Sequence, residues 1–266
     1  MRSRKISFSI IACVFFVFPM ILLLLQSVSS PWRFQSEDGF TWQWTSYQKL
    51  LQDPMLWEAT LTSIVIGYAV LVINFIIGLF TGKALVSSPY KGKAWVEAIL
   101  LSPILLPVLA IAMGLHLLMI RIGLADTLIG VILLHLVPTV PYSIKIFYNG
   151  YNQTGPAMME QSNILGAGFW TQIFTVELPL LRPAIRSLTF LTIVISLSQY
   201  AITAIIGGGR ILTLPLVFFP YMENANTSLM AAFSIWFAVI PVTMYIVIEL
   251  LILLLPYSRL PWRNHR

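Results

Sequence analysis

Glu160-Gln161-Ser162, Gly166 and then Val176-Glu177-Leu178-Pro179 punctuate a polar stretch, bearing glycine and proline, between two long apolar runs. Glu160 and Gly166 lie six apart, and Leu178-Pro179 begins twelve residues after Gly166. Gly155-Pro156 can open a helix there, because proline fits a first turn whose N–H groups lack partners in any case. Ala157 to Leu165 then supplies a short helix, and Gly166-Ala167-Gly168 breaks it, since glycine takes backbone angles that other residues avoid. A second short helix is predicted from Phe169 to Val176, stopping before Pro179. Helix, glycine turn and helix make a compact surface knob. Met158, Ile164, Leu165, Phe169, Trp170 and Phe174 are too many apolar side chains for a freely solvated loop. They need a partner or the underside of their own bundle.

Outward from the knob the chain is greasy. Of its 266 residues 58% are hydrophobic and 10% charged, and the mean hydropathy is +0.85. Soluble domains carry about 25% charged residues, so this is an integral membrane composition. The net charge of +6 comes from residues set between apolar runs, with no basic stripe of interleaved aromatics, which excludes nucleic-acid binding. A lone cysteine, Cys13, allows no intrachain disulfide and no thiol metal cluster. The first apolar run, Ile6 to Leu25, follows Arg2, Arg4 and Lys5. It exceeds the roughly 7–15 residues of a signal-peptide core and reads as a retained first span.

A spanning helix needs about 20 mostly apolar residues. Six segments qualify: 6–28, 59–82, 96–119, 127–148, 187–206 and 229–255. None alternates as an outer-membrane strand does. The expected fold is therefore an all-α membrane protein of six transmembrane helices, with residues 1–266 forming a single transmembrane domain. Basic residues set its orientation. With the N terminus inside, the inner side holds Arg2, Arg4, Lys5, Lys83, Lys91, Lys93, Lys145, Arg182, Arg186, Arg259, Arg263 and Arg266. The outer side holds Arg33, Lys49, Arg121 and Arg210. Twelve against four puts both termini and the loop at 149–186 in the cytoplasm of a multi-pass plasma-membrane protein, and the loop at 29–58 outside. That outer loop carries Trp32, Trp42, Trp44, Trp57, Phe40 and Tyr47. Two readings stand for it, interfacial anchoring of the helices and a receptor-docking surface.

The spacing of Glu160, Gly166 and Leu178-Pro179, after the fourth expected span and two spans before the last, resembles the cytoplasmic coupling (EAA) loop of binding-protein-dependent ABC importer permeases. Gly207-Gly208-Gly209-Arg210 with Thr213-Leu214-Pro215-Leu216 is similar to the outer loop after the fifth span in permeases related to the polyamine, iron and thiamine importers. His135 with Pro138, Pro141 and Tyr142, Trp57-Glu58 and Asn74 match the same group. The resemblance implies a type I importer fold in the bacterial inner membrane. A second permease subunit, usually a different chain in this group, would face this one. Two ATPase subunits would sit beneath, and a periplasmic substrate-binding protein would deliver cargo from above. ATP and Mg would belong to the ATPase, with Glu160, Gln161, Ser162, Gly166, Leu178 and Pro179 in the loop that meets it. Two departures stand out. Gln161-Ser162 replaces the family's two alanines, and Ser198-Gln199 stands where polyamine permeases often carry acids.

Polar residues inside apolar spans are costly and mark function by default. Ser196, Ser198, Gln199 and Tyr200 occupy barely more than one turn, with Asn74 in another span. They read either as a translocation path or as hydrogen-bonding glue between helices. His116 reads as a packing residue, and His135 as a donor to a carbonyl freed by Pro138 or Pro141. Neither has company at metal-ligand spacing, so no metal is expected. Glu97 and Glu249 are expected to snorkel or to pair with Lys93 or Arg259. Pro103 and Pro107 make the third span bendable.

The chain has no Walker A pattern, so ATP hydrolysis is expected on a separate chain, this one being a transport subunit rather than an enzyme. A secondary transporter or channel not driven by ATP is the alternative, though no acid lies deep in a span. An intramembrane enzyme is set aside, since neither a Ser/His/Asp set nor His-Glu-x-x-His occurs.

Overall fold

The computed structural model describes residues 2–30, 41–87, 91–155, 160–162, 164–222 and 226–254, and among them the chain is helical, with no strand. The helices are α1 (Arg2–Ser27), α2 (Thr45–Gln52), α3 (Pro54–Ser87), α4 (Lys93–Leu101), α5 (Val108–Arg121) and α6 (Leu128–Thr154). They continue with α7 (Phe169–Leu180), α8 (Arg182–Leu197), α9 (Tyr200–Ile206), α10 (Leu214–Met222) and α11 (Thr227–Leu254). Trp32, Arg33, Phe40, Pro156, Met158, Arg259, Arg263 and Arg266 lie outside the described residues.

The chain divides into two compact units. The first comprises residues 1–61 and 213–240. Hydroxyl groups tie it together: Ser228 Oγ donates to the Ser29 carbonyl (2.6 Å), Ser46 Oγ to Ser228 Oγ (3.0 Å) and Tyr47 OH to Ser27 Oγ (3.0 Å). Tyr221 OH donates to Asp53 Oδ2 (2.7 Å), and burial, helped by that bond, pushes the Tyr221 hydroxyl up to about 12. Trp57 and Trp236 meet edge to face, while Trp42 and Trp44 stand exposed.

The second unit, residues 62–212 and 241–266, carries the knob. Its packing fixes the direction of every pass. Asn74 meets Thr139, Gly78 meets Ser143 and Gly82 meets Phe147, four residues on in both helices each time, so α3 and α6 run parallel. Gly78 and Gly82 form a Gly-x-x-x-Gly stripe, the small-residue pattern that lets two membrane helices touch backbone to backbone. A Cβ on Gly78 would stand 2.7 Å from the Phe147 ring and 2.9 Å from the Ser143 carbonyl. Helix α8 lies antiparallel to α6, with Ala184 against Gly150 and Ser196 against His135. Helix α11 is antiparallel to α8, since Arg186 pairs with Glu249 and Phe190 with Tyr245.

Parallel α3 and α6 require the segment between them to return across the unit, and it does. Lys93, opening α4, sits over the Tyr148 ring at 5.3 Å, near the end of α6. Met119, near the end of α5, packs with Val131 and Ile206 at the opposite end. The expected third span is nevertheless not straight. A 3-10 turn at Ser102–Leu105 and an extended Leu106 (ψ 137°) before Pro107 bend α4 and α5 by 100°. Proline clashes with a helical conformation in the residue before it.

The expected span at 187–206 also needs correction. It begins at Arg182, stops at Leu197 and resumes at Tyr200, with Ser198 and Gln199 outside helical geometry. Among the described residues α3, α6 and α11 are each long and apolar enough to cross a membrane, and up to five spans result when each bent pair counts as one.

Candidate functional site

The knob forms much as its glycines demand. Gly166 takes φ 78°, and the Ala167 N–H donates to the Ser162 carbonyl at 3.0 Å. That is the Schellman closure of a helix C-terminus, which favours glycine because a Cβ would strain at this φ. Helix α7 then runs past Pro179, where the sequence reading expected it to stop. Its residues Gln172–Glu177 form a π-helical turn. The wider turn receives a ring that would clash with the carbonyl four residues back and that brings no N–H.

Two faces result. Ile164 and Leu165 are 84% and 86% exposed, and Phe169, Trp170 and Phe174 are exposed beside them. Glu160 and Gln161 are exposed too, Ser162 and Pro179 are buried and Leu178 is half-buried. On the inner side Phe169 stacks on Phe80 of α3 at 6.5 Å, and Gln172, Ile173 and Glu177 are buried.

Glu177 is the residue sequence reasoning missed. Its side chain is 0% exposed. Lys83 of α3 donates to Oε1 at 2.5 Å, and Tyr151 of α6 donates to Oε2 at 2.6 Å. Lys83 is 26% exposed, but losing it would leave a fully buried carboxylate without its counter-charge. Arg186 and Glu249 form a second ion pair at the same end, with Nε 2.9 Å from Oε2. Glu249 pairs with Arg186; Arg259, its expected partner, lies outside the described residues. A cleft of about 550 Å³ opens nearby, lined by Asn149, Gln153, Leu181 and Ser187 among others.

The polar residues of the spans gather differently from the expected cluster. His135, 2% exposed, bridges two hydroxyls, Ser196 Oγ at 3.0 Å from Nδ1 and Thr203 Oγ1 at 3.2 Å from Nε2. Thr203 already donates to the Gln199 carbonyl (2.8 Å), so its oxygen is left to accept from Nε2–H, while Nδ1 shares a hydrogen bond with the Ser196 hydroxyl. The histidine therefore serves side chains rather than a carbonyl freed by proline. Asn74, 0% exposed, donates to Thr139 Oγ1 at 2.7 Å, and its Oδ1 has no hydrogen-bond partner. The Thr139 hydroxyl in turn donates a hydrogen bond to the His135 carbonyl (2.8 Å). These residues form a polar seam joining α3, α6, α8 and α9.

Ser198 stands apart from the seam: it is exposed and bonds the Ile195 carbonyl of its own helix. Gln199 is buried at the helix break and Tyr200 is half-buried. Irregular backbone at membrane depth persists only where protein or a water-filled cavity covers it. Among the described residues no group of three His, Cys, Asp or Glu side chains could hold a metal ion.

Comparison with known proteins agrees with this architecture. The family described as "Binding-protein-dependent transport system inner membrane component" matches residues 74–255. The chain is 26% identical over 221 residues to the spermidine/putrescine transport system permease protein PotC of Haemophilus influenzae, covering 83% of this chain and 85% of that one. It is 24% identical over 244 residues to a Salmonella typhimurium protein named as a 2-aminoethylphosphonate transport system permease, PhnV, covering 91% and 90%. Among solved structures, a chain of a bacterial alginate ABC transporter, in complex with an alginate pentasaccharide-bound periplasmic protein, superposes with a TM-score of 0.68. That match covers 94% of this chain and 93% of the other at 15% identity, a likeness of fold.

Proposed function

This chain belongs to the family of binding-protein-dependent transport system inner membrane components, and on that premise we propose that its knob is the surface through which a separate ATPase drives the helices lining the translocation path. The chain is the permease subunit of an ABC importer, a transport subunit and not an enzyme. The observation that carries the proposal is the outer face of the knob. Ile164, Leu165, Trp170 and Phe174 are exposed together on a turn locked by Gly166, beside the exposed Glu160 and Gln161. Isolated in water such a patch is a liability; against a groove it is an anchor with polar edges.

Charge supports a cytoplasmic location for it. In the second unit Lys83, Lys93, Lys145, Arg182 and Arg186 belong to the end that carries the knob, while Arg121 and Arg210 belong to the other. An excess of basic residues marks the cytoplasmic end. Both termini then lie in the cytoplasm, α1 completes a set of six spans, and the loop at 29–58 faces a periplasmic binding protein. A second permease chain, different from this one, faces the Ser196–Tyr200 break across the path, with Ser198 as the exposed polar group nearest to cargo and Asn74 and Ser196 as its supports. Neutral Ser198 and Gln199 give no anchor for a polyvalent cation.

The test is co-purification from membranes that express the transporter with its own ATPase. The tagged native chain should retain the ATPase, and Glu160→Lys should weaken that capture. Gly166→Pro, which cannot adopt φ 78°, should abolish ATP-driven uptake while the chain still inserts. A native chain that retains no ATPase, or a Gly166→Pro chain with undiminished uptake, removes the coupling role.

A further inference from the structure

A docking face transmits force only if something holds its root. Among the described residues Glu177 is the one buried acid, and its two oxygens are taken by two different helices, Lys83 of α3 and Tyr151 of α6. We propose that Glu177 is the positioning residue that fixes the knob to α3 and α6, so that displacement of the exposed face moves both helices instead of being absorbed where the knob begins. The proposal rests on the coupling role above and adds to it the part that carries the motion inward.

Three features of the geometry support this. The contacts of Glu177 are charge-assisted and short, hence directional, whereas the stacking of Phe169 on Phe80 permits sliding. Its two partners are already one body, because Gly78 and Gly82 bring α3 into backbone contact with α6 over Ser143, Phe147 and Tyr148. The π turn adds Gln172 to the buried face that Ile173 and Glu177 share. Residues five apart share a face in a π turn, and Gln172 and Glu177 are both buried; in an α-helix they would point about 140° apart.

The test uses the assembled transporter in lipid nanodiscs without nucleotide, with Cys13→Ser and nitroxide labels on Thr171→Cys of the knob and Ile129→Cys of α6, both exposed positions. Electron–electron resonance reads the distribution of distances between the labels. Glu177→Gln should widen it by about twofold or more, because it removes the ion pair while keeping the shape. Lys83→Met and Tyr151→Phe, each deleting one arm, should also widen it. Arg186→Gln, which breaks the other ion pair at this end, should leave it unchanged. A native width in Glu177→Gln overturns the proposal, as does equal widening in Arg186→Gln. If Glu177→Gln does not assemble, native widths in both single-arm variants overturn it. Capture of the ATPase, scored in parallel, reports on docking alone, so a failed docking role and a failed fixing role give different results.

Discussion

The knob and the seam invert the usual distribution of side chains in opposite senses. At the knob leucine, isoleucine and tryptophan face outward, with Leu165 86% exposed. In the seam asparagine and histidine face inward, with Asn74 0% and His135 2% exposed. Neither makes sense for a protein surrounded by water. The seam belongs to helices whose surroundings are lipid, where a polar side chain is driven to other polar side chains. Under the coupling role proposed above, the knob meets another protein, which accounts for apolar residues that stay outside. One chain thus keeps two solvents, and the ion pairs Lys83–Glu177 and Arg186–Glu249 lie at the knob end, apart from the seam.

The sharpest way to break the contrast is to make the knob polar. Leu165→Asp with Trp170→Asp should cost about 4 kcal/mol of ATPase binding, roughly a thousandfold, if each is an anchor of about 2 kcal/mol. The thermal midpoint of the detergent-solubilised chain should hardly move, because both residues are exposed. Calorimetric titration of the solubilised chain with its ATPase reads the first quantity and circular dichroism the second. A large loss of stability with unchanged binding would reverse the assignment of the two faces.

Next in size is Gly78→Leu. Overpacking a well-packed contact costs about 1–3 kcal/mol, and here a Cβ alone meets backbone at 2.9 Å. The upper part of that range is expected, seen as a lowered midpoint and a reduced monodisperse fraction on gel filtration. His135→Leu follows, at about 1–2 kcal/mol, since it strands the Ser196 hydroxyl in a buried site. ATPase capture should survive both changes, and its loss in either would show that knob and seam are not separable. Asn74→Leu is the smallest. Interhelical hydrogen bonds in membranes average about 0.6 kcal/mol, and removing this one also removes an unpartnered Oδ1. A shift beyond about 1 kcal/mol would mean that the asparagine does more than join α3 to α6.

Much of this was legible from residues alone. Apolar runs located α3, α6 and α11, because lipid demands about 20 such residues and nothing subtler. Gly166 announced the break in the knob, since few other residues accept its backbone angles. What escaped was anything that depends on phase or partner. The bend before Pro107 was open to suspicion, but its 100° angle depends on what packs around it. The break at Ser198–Gln199 contains neither glycine nor proline, and a run of helix-tolerant residues does not declare a stop. Glu177 escaped for a geometric reason. A wheel drawn at 3.6 residues per turn groups it with Ile173 and away from Gln172, whereas the π turn brings all three to the buried side, where Lys83 and Tyr151 of other helices meet it. The Ser196–Tyr200 cluster looked like a unit in sequence, yet Ser196 faces His135 while Ser198 faces out.

The parallel pairing of α3 with α6 has a consequence in time. Asn74 finds Thr139 only after 65 more residues have been added to the chain. At about 5–20 residues per second, that is a delay of roughly 3–13 s. During synthesis α3 therefore enters the bilayer with its amide and its glycine stripe bare, and α4 and α5 must pass before its neighbour arrives. For those seconds the stripe is open to any other helix narrow enough to fit it, so the accuracy of assembly depends on the order in which the chain is made as well as on the contacts it finally keeps.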